Sequence, residues 1–197
     1  MDKLSLISNN CIGADILHQL HMQYQSPTVN LQILPEEYPR FCRDIKEYMA
    51  ADLIDYRREC LSRHHIEYLN NMFGHIPNMP FALCKDILVC FQHYDTFIEG
   101  KMQWDKRKER FDPERIAYIF YVRSPIYLDA LDEFVRLNLK NSLVFTEDFD
   151  VNILIEHYKV SFPQGWHFLN TDSNGVKYYQ RKFNPEIWMD KVVKSFE

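Results

Sequence analysis

The chain has 197 residues, 46% hydrophobic and 26% charged, with a formal net charge of −5. That size and balance predict one folded domain spanning residues 1–197 and exclude a disordered chain. The acidic charge argues against nucleic acid as a partner, and 5 glycines are too few for a dinucleotide-type Gly-rich loop or a sandwich full of tight turns.

Residues 4–7 form a short apolar run that ends in Ser8-Asn9-Asn10, which predicts a buried strand running into a loop. Ile12, Ile16, Leu17 and Leu20 then recur at helical spacing until Ser26-Pro27 breaks the pattern. Residues 28–34 alternate and carry β-branched side chains, so they predict a second strand. Pro35-Glu36-Glu37 has the features of a helix start, with proline early and carboxylates in the first turn. Tyr38, Phe41, Ile45, Tyr48 and Met49 continue one face, to about Leu53. Residues 55–84 hold Arg57-Arg58, Arg63-His64-His65 and the breakers Gly74, Pro77 and Pro80; they predict a short helix and then an irregular loop. Residues 86–91 predict a central apolar strand that ends at Gln92-His93-Tyr94, and residues 96–110 a charged helix. Residues 115–122 carry the strongest strand pattern, and Ser124-Pro125 caps a helix with Leu128, Leu131, Phe134 and Val135 on its inner face. Residues 142–146 predict another strand, residues 151–158 fit either strand or helix, and Asn184-Pro185-Glu186 opens a final helix. Alternating strands and helices imply a three-layer α/β/α fold with a mainly parallel or mixed central sheet.

The five cysteines (Cys11, Cys42, Cys60, Cys84 and Cys90) form no CxxC pair, which suits free thiols in a reducing compartment. The apolar run at the N-terminus is too short for a signal peptide, and no stretch approaches the roughly 20 apolar residues of a membrane span. The expectation is a cytoplasmic protein without an integral span, with a homo-oligomer left open.

In open α/β sheets ligands bind beyond the carboxyl ends of the strands. Three polar clusters fall there: Ser8-Asn9-Asn10-Cys11, Gln92-His93-Tyr94 and Thr146-Glu147-Asp148. Cys11 would stand at a helix N-terminus, where backbone N–H groups favour a thiolate; it is a candidate nucleophile with His93 as base, or else a small residue packed under the helix. Asn9 and Asn10 suit a turn and a helix cap as well as a ligand. Trp104, Arg107 and Lys108 share a helix face, so Trp104 and Arg107 could clamp a phosphate or sugar, or form a solvated basic face. His64, His65 and His75 lack metal-ligand spacing, and Asp148 and Asp150 form a bare DxD that acidic chains contain by chance; no metal or other cofactor is assigned.

Several pieces recur in order: Ile7-Ser8-Asn9-Asn10-Cys11, Ser26-Pro27-Thr28-Val29-Asn30-Leu31, Glu37-Tyr38 with Phe41, Asp86-Ile87, His93-Tyr94, and Trp104, Arg107 and Arg110. Over roughly the first 120 residues this set resembles the bacterial family called domain of unknown function 1919. Its members are often labelled exopolysaccharide or capsule biosynthesis proteins. The resemblance therefore implies a three-layer α/β fold and a place in surface-glycan assembly, without an established activity. Where the family tends to show a Tyr-Pro pair and a Gly-Leu-like turn, this chain has residues 78–83; Arg123-Ser124-Pro125 also departs from the acidic, Gly-containing loop expected there.

Two functions compete. One is a transferase for a surface polysaccharide (exopolysaccharide, capsule or lipopolysaccharide) that uses a sugar- or nucleotide-activated donor. In it, the loop Ser8, Asn9, Asn10 and Cys11 would bind the donor, Arg107 and Arg110 would neutralise phosphate, and His93 would act as base, with Asn30, Tyr94, Trp104, Thr146 and Asp148 as further ligand-binding candidates. The other is a non-catalytic module that binds glycan or protein through its many aromatic side chains.

Overall fold

The computed structural model describes residues 4–197. Met1, Asp2 and Lys3, which precede the first predicted strand, lie outside them. The described strands form two four-stranded sheets. β1 (Ser5–Ser8), β6 (Ile116–Val122), β7 (Ser142–Glu147) and β8 (Glu156–Val160) pair in that order, and every pairing is parallel. β2 (Gln32–Ile33), β5 (Ile87–Cys90), β4 (Phe81–Cys84) and β3 (Leu53–Asp55) make the second sheet, which is antiparallel throughout.

β6 shows why the parallel sheet is sandwiched. Side chains alternate across a strand, and β6 is apolar at every position and buried along its length. Ile116, Tyr118, Phe120 and Val122 enter one core; Ala117, Ile119 and Tyr121 enter the other. The first core is closed by α2 (Tyr38–Arg43), α3 (Ile45–Ala50), α6 (Leu128–Arg136) and the antiparallel sheet. The second is closed by α1 (Ile12–Gln19) and α7 (Pro185–Lys194). The architecture is α/β, with helices on both faces of the parallel sheet.

Several elements depart from the sequence reading. The second strand shrinks from residues 28–34 to two residues, because Asn30 takes a left-handed φ of 62° and the Leu31 N–H turns back to the Thr28 carbonyl at 3.3 Å. The helix expected from residue 35 to about Leu53 is two short helices. Asp44, at φ −108° and ψ 29°, breaks it, and Leu53 already belongs to β3. The segment read as a short helix and a loop holds α4 (Arg63–Phe73). The Ser62 side chain caps its start, and Gly74, at φ 75°, ends it. β4 follows and joins β5 through Lys85-Asp86, with Lys85 at φ 57°. The stretch read as a central strand, β5, therefore lies in the antiparallel sheet. Of residues 151–158, which fit strand or helix, only the last three are strand, as the start of β8. α5 (Phe97–Lys108) starts at a Thr96 cap, and Asn184 caps α7, both close to expectation.

No helix among the described residues is long and apolar enough to cross a membrane.

Candidate functional site

The carboxyl ends of β1 and β6 are tied together by Asn9. Its Oδ1 accepts the Tyr121 N–H at 2.9 Å and its Nδ2 donates to the Tyr121 carbonyl at 3.0 Å, so a side chain continues the β1–β6 ladder where the backbone leaves it. The Asn9 carbonyl accepts the Ile33 N–H of β2 at 3.0 Å. One residue thus joins the parallel sheet to the antiparallel one.

Next to it, Ser8 and Asn10 shape the turn into α1. Ser8 Oγ donates to the Asn10 carbonyl at 2.7 Å, and Asn10 Oδ1 accepts the Ile12 N–H at 3.0 Å. Gly13 packs on this turn so closely that a Cβ there would stand 2.7 Å from Ser8 Cβ. Cys11 comes next. Its thiol donates to Gln92 Oε1 at 3.2 Å and touches His93 Nε2 at 3.1 Å. Two of the predicted polar clusters, one from each sheet, therefore meet.

The helix terminus was expected to lower the Cys11 pKa. The opposite holds: burial pushes the thiol up to about 12, and the Asp15 carboxylate in the first turn adds to it. Desolvation of a charged sulfur outweighs the end of an eight-residue helix. Cys11 rests as a neutral thiol, so any nucleophilic role would need His93 to remove its proton.

Two adjoining chambers open here. The outer one, about 580 Å³, is lined by Cys11, Gln92 and His93 on one side and by Trp166, His167 and Phe168 on another. The inner one, about 250 Å³, lies against Asn9, Tyr68, Tyr121, Ser124 and Tyr127. Asn10, Gln32, Met72 and Arg123 line both. Arg123 follows directly on β6. Its Nη1 donates to the Met72 carbonyl at 3.0 Å, and its Nε lies 3.6 Å from Glu147 Oε1. Tyr121 donates its hydroxyl to the same carboxylate at 2.9 Å. Burial lifts Glu147 above the ordinary carboxylate range, against the pull of Tyr121 and Arg123. Burial, helped by the Arg123 charge, holds His167 below its ordinary value.

The other sequence candidates sit elsewhere. Arg107 is buried; it donates to the Val29 carbonyl at 2.7 Å and lies over the Tyr24 ring. Trp104 is buried in the first core, and Arg110 is half-buried on the turn after α5. Ser8 is buried inside its turn, and Asn30 sits in the bend before β2. Tyr94 packs its ring on Phe91. Thr146 donates to the Phe149 carbonyl at 2.8 Å, while Asp148 is exposed at φ 59° and Asp150 pairs with Lys159. Of the residues named from sequence, the structure gathers Asn9, Asn10, Cys11 and His93 along the chambers, and it leaves Arg107 and Arg110 out of their walls. Arg123, Gln32 and His167 went unmarked. Arg123 had a usable signal, since it is the first residue beyond the strongest strand.

A known family pattern spans nearly the whole of this chain. The model of a domain of unknown function, DUF1919, matches residues 1–189. An uncharacterized protein of Haemophilus influenzae is 26% identical over 182 residues, which is 90% of this chain and 80% of that protein. The chain belongs to the DUF1919 family of domains of unknown function.

Proposed function

We propose that the chain is a cytoplasmic transferase of bacterial surface-glycan assembly that receives a phosphate-activated sugar in the outer chamber. The observation that carries this reading is the Cys11–His93 contact in a cleft that also holds Arg123. The family resemblance to proteins labelled for exopolysaccharide or capsule biosynthesis supports it. His93 would take the proton from an acceptor hydroxyl as the new glycosidic bond forms. The bond from sugar to phosphate breaks, and the charge left on the departing phosphate falls to Arg123, the part first assigned to Arg107 and Arg110. Cys11, a neutral thiol, orients the imidazole. Exposed Trp166, packed edge-on against Tyr178, favours a second reading: a non-catalytic module that stacks a glycan on this rim.

Titration with UDP-glucose, UDP-galactose and GDP-mannose, followed by turnover with a glycan acceptor, separates the two. The expected result is that one donor binds and that Arg123→Ala weakens it ten- to a hundredfold, the size of a lost charged hydrogen bond, about 1.5–3 kcal/mol. His93→Ala should leave the donor Kd nearly unchanged and cut turnover about 10²–10⁴-fold. Absence of binding by every activated sugar sinks the transferase reading; glycan binding lost on Trp166→Ala, without turnover in wild type, establishes the other.

A further inference from the structure

The inner chamber holds buried polar groups that the fold leaves unused. Asn10 is 3% exposed; its Oδ1 accepts the Ile12 N–H, which fixes the amide's orientation. Its Nδ2 has no partner among the described residues. Gln32 is 2% exposed, and its Nε2 donates to the Ile33 carbonyl at 3.1 Å and the Tyr68 hydroxyl at 2.9 Å. That leaves Oε1 as a free acceptor. Tyr127 is 7% exposed, with its ring edge-on to Tyr68, and its hydroxyl has no hydrogen bond to any described residue. These groups belong to residues that line the open chamber, so their partners must come from whatever fills it. Three such groups on one cavity wall point to a ligand or to water.

The kind of ligand follows from the signs. An anion accepts only, so it would suit Asn10 Nδ2 and Arg123 but be opposed by Gln32 Oε1, which lines the chamber too. A cation would meet the reverse conflict. A neutral hydroxyl both donates and accepts, so a polyol satisfies the whole set. The tyrosine faces suit the apolar C–H side of a sugar ring. At roughly 30 Å³ per water, the 250 Å³ chamber has room for about eight waters, the scale of one sugar ring.

We infer that the inner chamber is the subsite for a single neutral sugar ring, the end of the acceptor glycan, held by Asn10, Gln32 and Tyr127. This rests on the reading of the cleft as glycan-directed. It places acceptor and donor on opposite sides of Arg123.

The test is titration of the ¹⁵N-labelled full chain with methyl glucoside, methyl galactoside and methyl mannoside, reading the side-chain amides of Asn10 and Gln32. At least one glycoside should shift both amides. Tyr127→Phe, which keeps the ring and its packing, should weaken that glycoside about three- to tenfold, the size of one neutral hydrogen bond. Silence from both amides with all three glycosides overturns the subsite, as does an unchanged Kd in Tyr127→Phe. Inorganic phosphate that shifts both amides and displaces the glycoside also overturns it. The donor reading fails by a different result, the absence of nucleotide-sugar binding, so the two failures are distinguishable.

Discussion

Cys11 illustrates how opposing local effects are ranked. Its place before α1 predicts a stabilised thiolate; its burial and the nearby Asp15 predict the reverse, and the second pair wins, with the pKa near 12. The thiol should therefore be slow toward alkylation. With iodoacetamide at pH 8, exposed Cys60 is expected to be labelled before Cys11, as read by peptide mass spectrometry. Faster labelling of Cys11 would mean that His93 already holds its proton. Arginines teach a related lesson. Arg107 shares a helix face with Trp104 in the sequence, yet that face turns inward and the guanidinium serves the Val29 carbonyl. Arg123, noted only as part of an atypical loop, is not a site candidate in the sequence because Ser124-Pro125 beside it reads as a helix cap, which it also is: the Ser124 hydroxyl accepts the Ile126 N–H at 3.4 Å.

Among the elements, those with an unbroken local pattern were legible. β6 is seven consecutive apolar residues, and α5 and α7 carry side-chain caps. The β4–β5 hairpin was not legible, since its turn uses Lys85-Asp86 where a tight hairpin prefers Asn-Gly or Asp-Gly. Nor was the break at Asp44, because the apolar stripe of α2 runs on into α3. The junction of β1 and α1 yields a sharper expectation. Alanine in place of Gly13 gains up to about 1 kcal/mol of helix propensity. The new Cβ would stand 2.7 Å from Ser8 Cβ, and overpacking of this kind costs about 1–3 kcal/mol. Gly13→Ala is therefore expected to lower the urea midpoint, and to disturb Asn10 more than residues in α7. An unchanged or raised midpoint would show that the turn can move aside.

In the molecule as a whole, the sequence reveals alternating strands and helices but not that they sort into two sheets, because strand order depends on contacts between distant segments. The segment after β8 carries His167 to the cleft without any sequence signal. Its Nδ1 accepts the Leu169 N–H at 3.4 Å. Burial and Arg123 depress its pKa, so the unfolded chain binds that proton first. The stability it contributes is full above its ordinary value of about 6.5 and is lost as pH falls through the folded value. An NMR titration should place the His167 midpoint below about 6.5. Between pH 7.5 and 5, wild type should lose more stability to urea than His167→Gln does; equal losses would remove His167 as the cause.

The position of Asn9 has a thermodynamic consequence. The inner chamber sits where occupancy is felt by two sheets together, since Asn9, which lines it, also splices β1, β2 and β6. Binding and global folding are then linked functions. A loosening of either sheet, even remote from the cleft, lowers the population of closed seams and with it the apparent affinity. A bound sugar, in turn, should protect amides in both sheets against exchange to a similar degree.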